Sequence, residues 1–385
     1  MMNLLQHYNL FTLLLLAYGN DKGPPYTVNR KASILIQLHT NWRVSMQTRD
    51  AYYDNAKFLL IFLVVFGHLI QSFIHDSKFI FSLYTTIYSF HMPAFILIAG
   101  YFAKGFQKKG YFLKIAKKLI GPYLLFQGIY SVYYFFLQDK SAIELDPLNP
   151  QWSLWFLISL FCWNAMLYLF TKWKPVYSIL IAFGLGIAIG YISEISNYLS
   201  LSRTIVFFPL FLIGYYFQKD HFSKLQTNKV KIVSFFILVS TFLVVYLLPE
   251  LEYRWLFGSK PYEALDYGMG GGLVRFLIYG LTLLTTLSFL AIVPKQHTFF
   301  TKWGTRSLYV YLLHGFFIKY FRNSDLADNL HGFQELYLLI LFSLLLTIVL
   351  SSNLIKTITQ PIIEFKLPSY KNMMKYNDNQ LRKGN

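Results

Sequence analysis

The run DNAKFLLIFLVVFGHLI at residues 54–70 decides the fold. Every residue between Lys57 and His68 is apolar, and beyond the histidine the stretch reaches Ile74 with only Gln71 and Ser72 interrupting it. A helix needs about 20 such residues to cross the hydrocarbon core of a bilayer. Nine further stretches of this kind follow, giving ten at about 58–74, 80–103, 119–137, 154–170, 176–192, 204–217, 232–248, 273–293, 308–320 and 336–355. The stretches at 204–217 and 308–320 are short and need adjacent polar residues to complete them. The alternation typical of membrane β-strands is absent. The expected fold is therefore all-α, a polytopic membrane bundle of about ten transmembrane helices.

Composition agrees. Of 385 residues, 55% are hydrophobic, 19% aromatic and only 14% charged, with a mean hydropathy of +0.41. A soluble domain carries about 25% charged residues, so disorder and an ordinary cytosolic enzyme are excluded. Cys162 is the single cysteine, which excludes an intramolecular disulfide and a Cys-based metal site; no metal site is expected.

The net charge of +17 arises from 35 Lys and Arg against 18 Asp and Glu. The excess alternates between loops. Lys104, Lys108, Lys109, Lys114, Lys117 and Lys118 follow the second stretch, and Lys219, Lys224, Lys229 and Lys231 follow the sixth. The loops between lean acidic, with Asp139, Glu144 and Asp146, then Glu194, then Glu250, Glu252, Glu263 and Asp266. By the positive-inside rule both termini are expected in the cytoplasm and the chain in the plasma membrane. Basic residues scattered over separate short loops do not form a nucleic-acid surface, so no nucleic-acid partner is expected.

Residues 1–45 fit this plan poorly. The apolar run at 10–18 has signal-peptide length but no preceding Lys or Arg, and Met46 is a natural alternative start. The expected organisation is an N-terminal extension of doubtful origin at 1–45, a membrane domain at 46–365 and a basic cytoplasmic tail at 366–385.

Ionisable groups at membrane depth are costly and mark candidate sites. They are Asp54, Lys57, His68, His91, Arg203, Arg275, His314 and Lys319, the last read as reaching out to the interface. Lys57 and His68 are eleven residues apart, three helical turns plus about 20°, so they share a face about 16 Å apart along the axis. Asp54 can pair with Lys57 at i,i+3. This layout suits an anionic donor entering at Lys57 with its reactive carbon near His68. It equally describes an interfacial ion pair and a packed imidazole.

Ser89-Phe90-His91-Met92-Pro93 in the second stretch predicts a kink or break at Pro93 that brings His91 toward the same cavity. Trp155 and Arg203 open the fourth and sixth stretches as interfacial residues that can also line a cavity, and His314 lies two turns above Ser307. Gly186 and Gly190 read as a helix-packing pair, and Gly268–Gly272 as a flexible turn. Walker, HExxH and GxSxG motifs are absent.

In their order and spacing these segments resemble the acyltransferase-3 family of integral membrane acyltransferases, in particular its fucose 4-O-acetylase-like branch. The likeness rests on Asp54-Asn55-Ala56-Lys57, Val64-Val65-Phe66-Gly67-His68, Phe90-His91-Met92-Pro93, Ala99-Gly100-Tyr101, Leu154-Trp155-Phe156-Leu157, residues 208–214 and residues 307–314. It spans roughly residues 46–365. Two positions depart from the family. Lys57 stands where Arg is frequent, and Ala99 stands where Ser commonly precedes the glycine.

The resemblance implies transfer of an acyl group, most often acetyl, from cytoplasmic acyl-CoA to a sugar hydroxyl of a cell-surface or exported glycan. It implies a stand-alone membrane module that meets acyl-CoA, a glycan acceptor and lipid, with acetyl-CoA as donor substrate and no permanently bound cofactor. His68 and His91 are the expected catalytic residues. Lys57 and Asp54 would serve the donor, and Arg203, Trp155, Ser307 and His314 the acceptor. The competing class is a multi-pass exporter of a glycan-related molecule, since buried titratable groups beside an interrupted helix also suit transport.

Overall fold

The computed structural model describes residues 50–195, 198–248, 252–325 and 333–365. The extension at 1–45, the tail at 366–385 and Glu250 lie outside them.

Helix α1 spans Ala51–Ile70, α2 Lys78–Tyr101, α3 Tyr111–Leu137, α4 Trp155–Phe170 and α5 Pro175–Ala188. After α6, Leu201–Tyr216, come a short α7, Lys219–Leu225, then α8, Asn228–Leu247, and α9, Gly271–Ile292. The chain closes with α10, Ser307–Arg322, α11, Leu336–Leu350, and α12, Asn353–Glu364. The architecture is an all-α membrane bundle.

Each of the ten apolar stretches is helical. Among the described residues six helices are long and apolar enough to cross a membrane, or seven if α11 and α12 form one bent span. The others fall short for physical reasons. The charge-free part of α3, residues 119–137, is diluted by Pro122, Gln127 and four tyrosines, α5 has 14 residues, and α10 has 16 with Lys319 and Arg322 in its last turn. The tenth stretch also ends earlier than its hydropathy implies. Helix α11 stops at Leu350, Ser352 caps a new helix through the Ile355 amide, and α12 leaves at 62°.

Of the kink or break expected at Pro93, no break occurs, and α2 runs through it. A proline cannot donate to the carbonyl four residues back, here that of Ser89. The Thr285 hydroxyl of α9 lies 3.3 Å from that carbonyl and 2.9 Å from the Leu281 carbonyl of its own helix, so a polar group of a neighbouring helix stands beside the lost bond.

Burial orders the helices. In α2, 72% of the most apolar window is buried, whereas in α8 only 11% is. Helix α2 is therefore central and α8 presents its apolar side chains outward to lipid. The upper half of α1 packs with α2, α10 and α11, while α2, α4 and α6 share a second core through Ile96, Trp163 and Phe211. Helix α2 meets α6 most extensively, and there Gly100 abuts the Phe211 carbonyl while Gly214 abuts the Leu97 carbonyl.

The segment from Glu252 to Gly270 folds as a cap with its own apolar core of Trp255, Tyr262 and Leu265. Arg275 donates to the Trp255 carbonyl at 2.8 Å, Ser202 to that of Gly258 at 2.9 Å and Tyr262 to that of Ile187 at 2.7 Å. One glycine reading changes accordingly. Gly271 begins α9 beneath the Tyr262 ring, and the Gly272 amide donates to the Tyr191 hydroxyl, so this end of the glycine run is packed rather than slack. Gly186 lies at a helix contact, making room for Tyr279 of α9 beside the Ile205 carbonyl of α6, while Gly190 makes room for Tyr262 of the cap.

Replacing Gly214 by Val should force α2 and α6 apart and destabilise the protein by about 1–3 kcal/mol, an overpacking cost. Gly184→Ala, at a position with open space, should change little. Thermal unfolding of the two variants in the same detergent checks the difference.

Candidate active site

A cavity of about 200 Å³ is lined by His68 of α1, His91 of α2, Trp155 of α4 and Arg203 of α6, with Tyr88, Gln71, Trp152 and Tyr311. Leu256 and Phe257 of the cap complete the wall. Four of the eight residues singled out from sequence thus converge on one space.

Gly67 governs the position of His68. A Cβ there would lie 3.0 Å from the Tyr88 ring, so its absence lets that ring lie against α1. The Tyr88 hydroxyl sits 3.0 Å from His68 Nδ1. A proton on Nδ1 leaves Nε2 as the basic atom, and a proton given by Tyr88 makes Nε2 a donor. Arg322 donates to the His68 carbonyl and, at 2.7 Å, to the Gln71 amide oxygen, which fixes the end of α1.

His91 is buried, and its Nδ1 lies 2.9 Å from the Ile87 carbonyl. A carbonyl only accepts, so Nδ1 carries the proton and Nε2 the lone pair. His314 uses the same device toward the Val310 and Tyr311 carbonyls, at 3.0 and 2.8 Å. It does not line the cavity. Its ring stacks on His68 at 5.6 Å, with Trp152 against both imidazoles at 4.6 and 5.1 Å.

Trp152 holds a left-handed backbone with φ of 39°, a conformation a bulky residue adopts only when its surroundings enforce it. Gly315 makes room for its ring, since a Cβ there would overlap the Trp152 ring and the Tyr130 hydroxyl. The Lys319 ammonium lies over two aromatic rings, 5.4 Å from the Trp152 ring centre and 5.5 Å from that of Tyr134.

The remaining sequence candidates lie elsewhere. Lys57 pairs with Asp54 at 2.7 Å, about 16 Å along α1 from His68. Ser307 begins α10 two turns from His314 and is outside the cavity. Arg275 anchors the cap. Asn55, within the same motif as Lys57, is a structural clasp. It donates to the carbonyls of Pro294 and Gln296 and accepts from Thr298 and Thr301.

Sequence reasoning missed Tyr88, Gln71, Tyr311 and Arg322, and gave Trp152 only an interfacial role. Tyr88 was within reach, because it precedes His91 by three residues and shares its face. The strained turn at Trp152 leaves no such pattern. Among the described residues no group of three His, Cys, Asp or Glu side chains is arranged to hold a metal ion.

The fold and site define a helical membrane protein with imidazoles gathered around a small aromatic cavity. A family model described as an acyltransferase domain matches residues 50–353, and the chain belongs to the acyltransferase-3 family. It is similar to nodulation protein NolL of Sinorhizobium fredii, at 31% identity over 143 residues, covering 32% of this chain and 39% of the relative. A second NolL, from Mesorhizobium japonicum, is 43% identical over 60 residues, covering 15% of this chain and 16% of the relative. The chain thus spans well under half the length of these relatives. No solved structure matches it.

Gly315→Ala should push Trp152 off the two imidazoles and quench or shift its fluorescence relative to the parent protein. An unchanged emission spectrum in the folded variant would contradict this account of the glycine.

Proposed function

We propose that the protein is a membrane O-acyltransferase that moves an acyl group, acetyl in the simplest case, from acyl-CoA to a sugar hydroxyl of a surface or exported glycan. The observation that carries this reading is the convergence of His68 and His91 on one cavity with Arg203 and Trp155, in a chain of the acyltransferase-3 family. The alternating loop charge supports a plasma-membrane orientation with both termini in the cytoplasm, so that Lys57 stands at the donor side.

In this mechanism the acceptor oxygen attacks the thioester carbonyl. A C–O bond forms, the C–S bond breaks, and the acceptor proton passes through an imidazole to the departing thiolate, releasing CoA as the thiol. His68 is the proposed base when Tyr88 accepts its Nδ1 proton. His91, whose Nε2 carries a lone pair, is the second proton carrier. His314 and Trp152 hold the His68 ring in place. Lys57, oriented by Asp54, meets the phosphates of CoA. Arg203 and Trp155, both in the cavity lining, contact the acceptor.

His68→Ala should reduce acyl transfer by about 10²–10⁴-fold, the usual contribution of a general base. The measurement is transfer of label from radiolabelled acetyl-CoA by purified protein, with and without a glycan acceptor. Full transfer by a normally inserted His68→Ala protein would remove His68 from the mechanism, and counterflow of unmodified sugar without label transfer would indicate an exporter. Lys57→Ala should act differently. It should raise the apparent KM for acetyl-CoA, and excess donor should restore the rate.

A further inference from the structure

The cavity carries an unbalanced positive charge. Its lining contains one permanent cation, Arg203, beside the two imidazoles, and no Asp or Glu. The guanidinium of Arg203 lies 5.2 Å from the Trp155 ring centre, and among the described residues no carboxylate pairs with it. Directly behind the wall stand two more cations, Lys319 over Trp152 and Arg322 on Gln71. Among the described residues none of these three forms an ion pair, and the Arg322 Nε has no hydrogen-bond partner.

Lys57 at the far end of α1 provides the contrast, since its charge is balanced by Asp54. Gathering uncompensated cations in a protein interior at membrane depth is expensive, and an opposite charge offsets it most effectively. Arg203 also lies in the first turn of α6, whose N-cap Ser200 makes no side-chain cap, so the helix end adds positive potential.

We propose that Arg203 and its cationic surroundings form a subsite for an anionic group on the acceptor sugar, a phosphate or a carboxylate. The term acceptor rests on the acyltransferase reading above; the charge preference does not. Planar guanidinium binds either anion through paired hydrogen bonds. The aromatic walls of Trp155, Phe207 and Tyr311 suit the apolar face of a sugar ring, since the negative faces of aromatic rings meet its C–H groups. At about 200 Å³ the cavity is smaller than the usual 300–1,000 Å³ of small-molecule sites. It therefore receives one sugar unit with its anion, and the rest of a glycan stays outside.

The test uses the full chain purified in detergent, with intrinsic tryptophan fluorescence reporting binding beside Trp152 and Trp155. It is titrated with a hexose 1-phosphate, a hexuronic acid and the neutral methyl glycoside of the same hexose. At least one anion should bind about tenfold or more tightly than the glycoside, as hydrogen bonds to charged groups require. Arg203→Gln should remove that margin, and Arg203→Lys should keep part of it. Preference for the phosphate identifies a phosphate-linked sugar, and preference for the uronic acid identifies a carboxylated one. Equal affinity for all three ligands, or a margin that survives Arg203→Gln, overturns the proposal. Charge-selective binding without acyl transfer by the same preparation would count against the reaction alone. Transfer to acceptors without charge selectivity would count against the subsite alone.

Discussion

The backbone contact between α2 and α6 is the constraint on which the site depends. Gly100 and Gly214 each face a carbonyl of the opposite helix, so neither position has space for a side chain. That proximity sets His91 and Tyr88 on one helix against Arg203 and Phe207 on the other. Helix α1 is then registered on α2 by a third glycine, Gly67, beneath the Tyr88 ring. In a bilayer such contacts matter more than apolar burial, because lipid is as hydrophobic as a leucine-rich core and gives helices little reason to associate. Close approach and specific polar contacts must supply the association.

The polar contacts come largely from tyrosine. The hydroxyls of Tyr52, Tyr130, Tyr133 and Tyr279 donate to the carbonyls of Leu290, Leu312, Phe316 and Val206 on other helices. Each ring contributes apolar area, while its hydroxyl finds an acceptor that water cannot supply at that depth. Thr285 stands beside the Ser89 carbonyl that Pro93 cannot serve inside an unbroken α2. The 30 tyrosines of the sequence therefore act in part as crosslinks between helices.

The helices were legible because apolar length is a local property: each of the ten stretches is helical. Which helices are long enough to span depends on where lysines and prolines fall, and the bend after Leu350 turns on a serine cap that hydropathy ignores. The site was legible where the chemistry is exceptional, since charge at depth singled out His68, His91 and Arg203. It was illegible where neutral residues complete it. Gln71 and Tyr311 look like ordinary membrane residues, and Trp152 owes its place to a left-handed turn and to the space left at Gly315, 163 positions later in the chain. Ser307 shares a helix face with His314, yet neither residue is in the cavity lining.

The two ends of α1 differ in how charge is settled. At Lys57 the counter-charge is internal, one turn away on Asp54, so the ammonium is held in a fixed direction whether or not a ligand is present. Around His68 the counter-charge is missing from the described residues, and aromatic faces alone partner Arg203 and Lys319. Cation–π contacts stabilise by about 0.5–2 kcal/mol, well short of the several kcal/mol per ion that desolvation costs. A site built this way is electrostatically incomplete until something negative enters it. The charge that develops on a thioester oxygen during attack is one such negative group, and an acceptor anion is another. The same cations can therefore favour both a charged acceptor and the transition state it passes through, which makes the absence of acidic residues from the cavity a positive feature of the proposed chemistry.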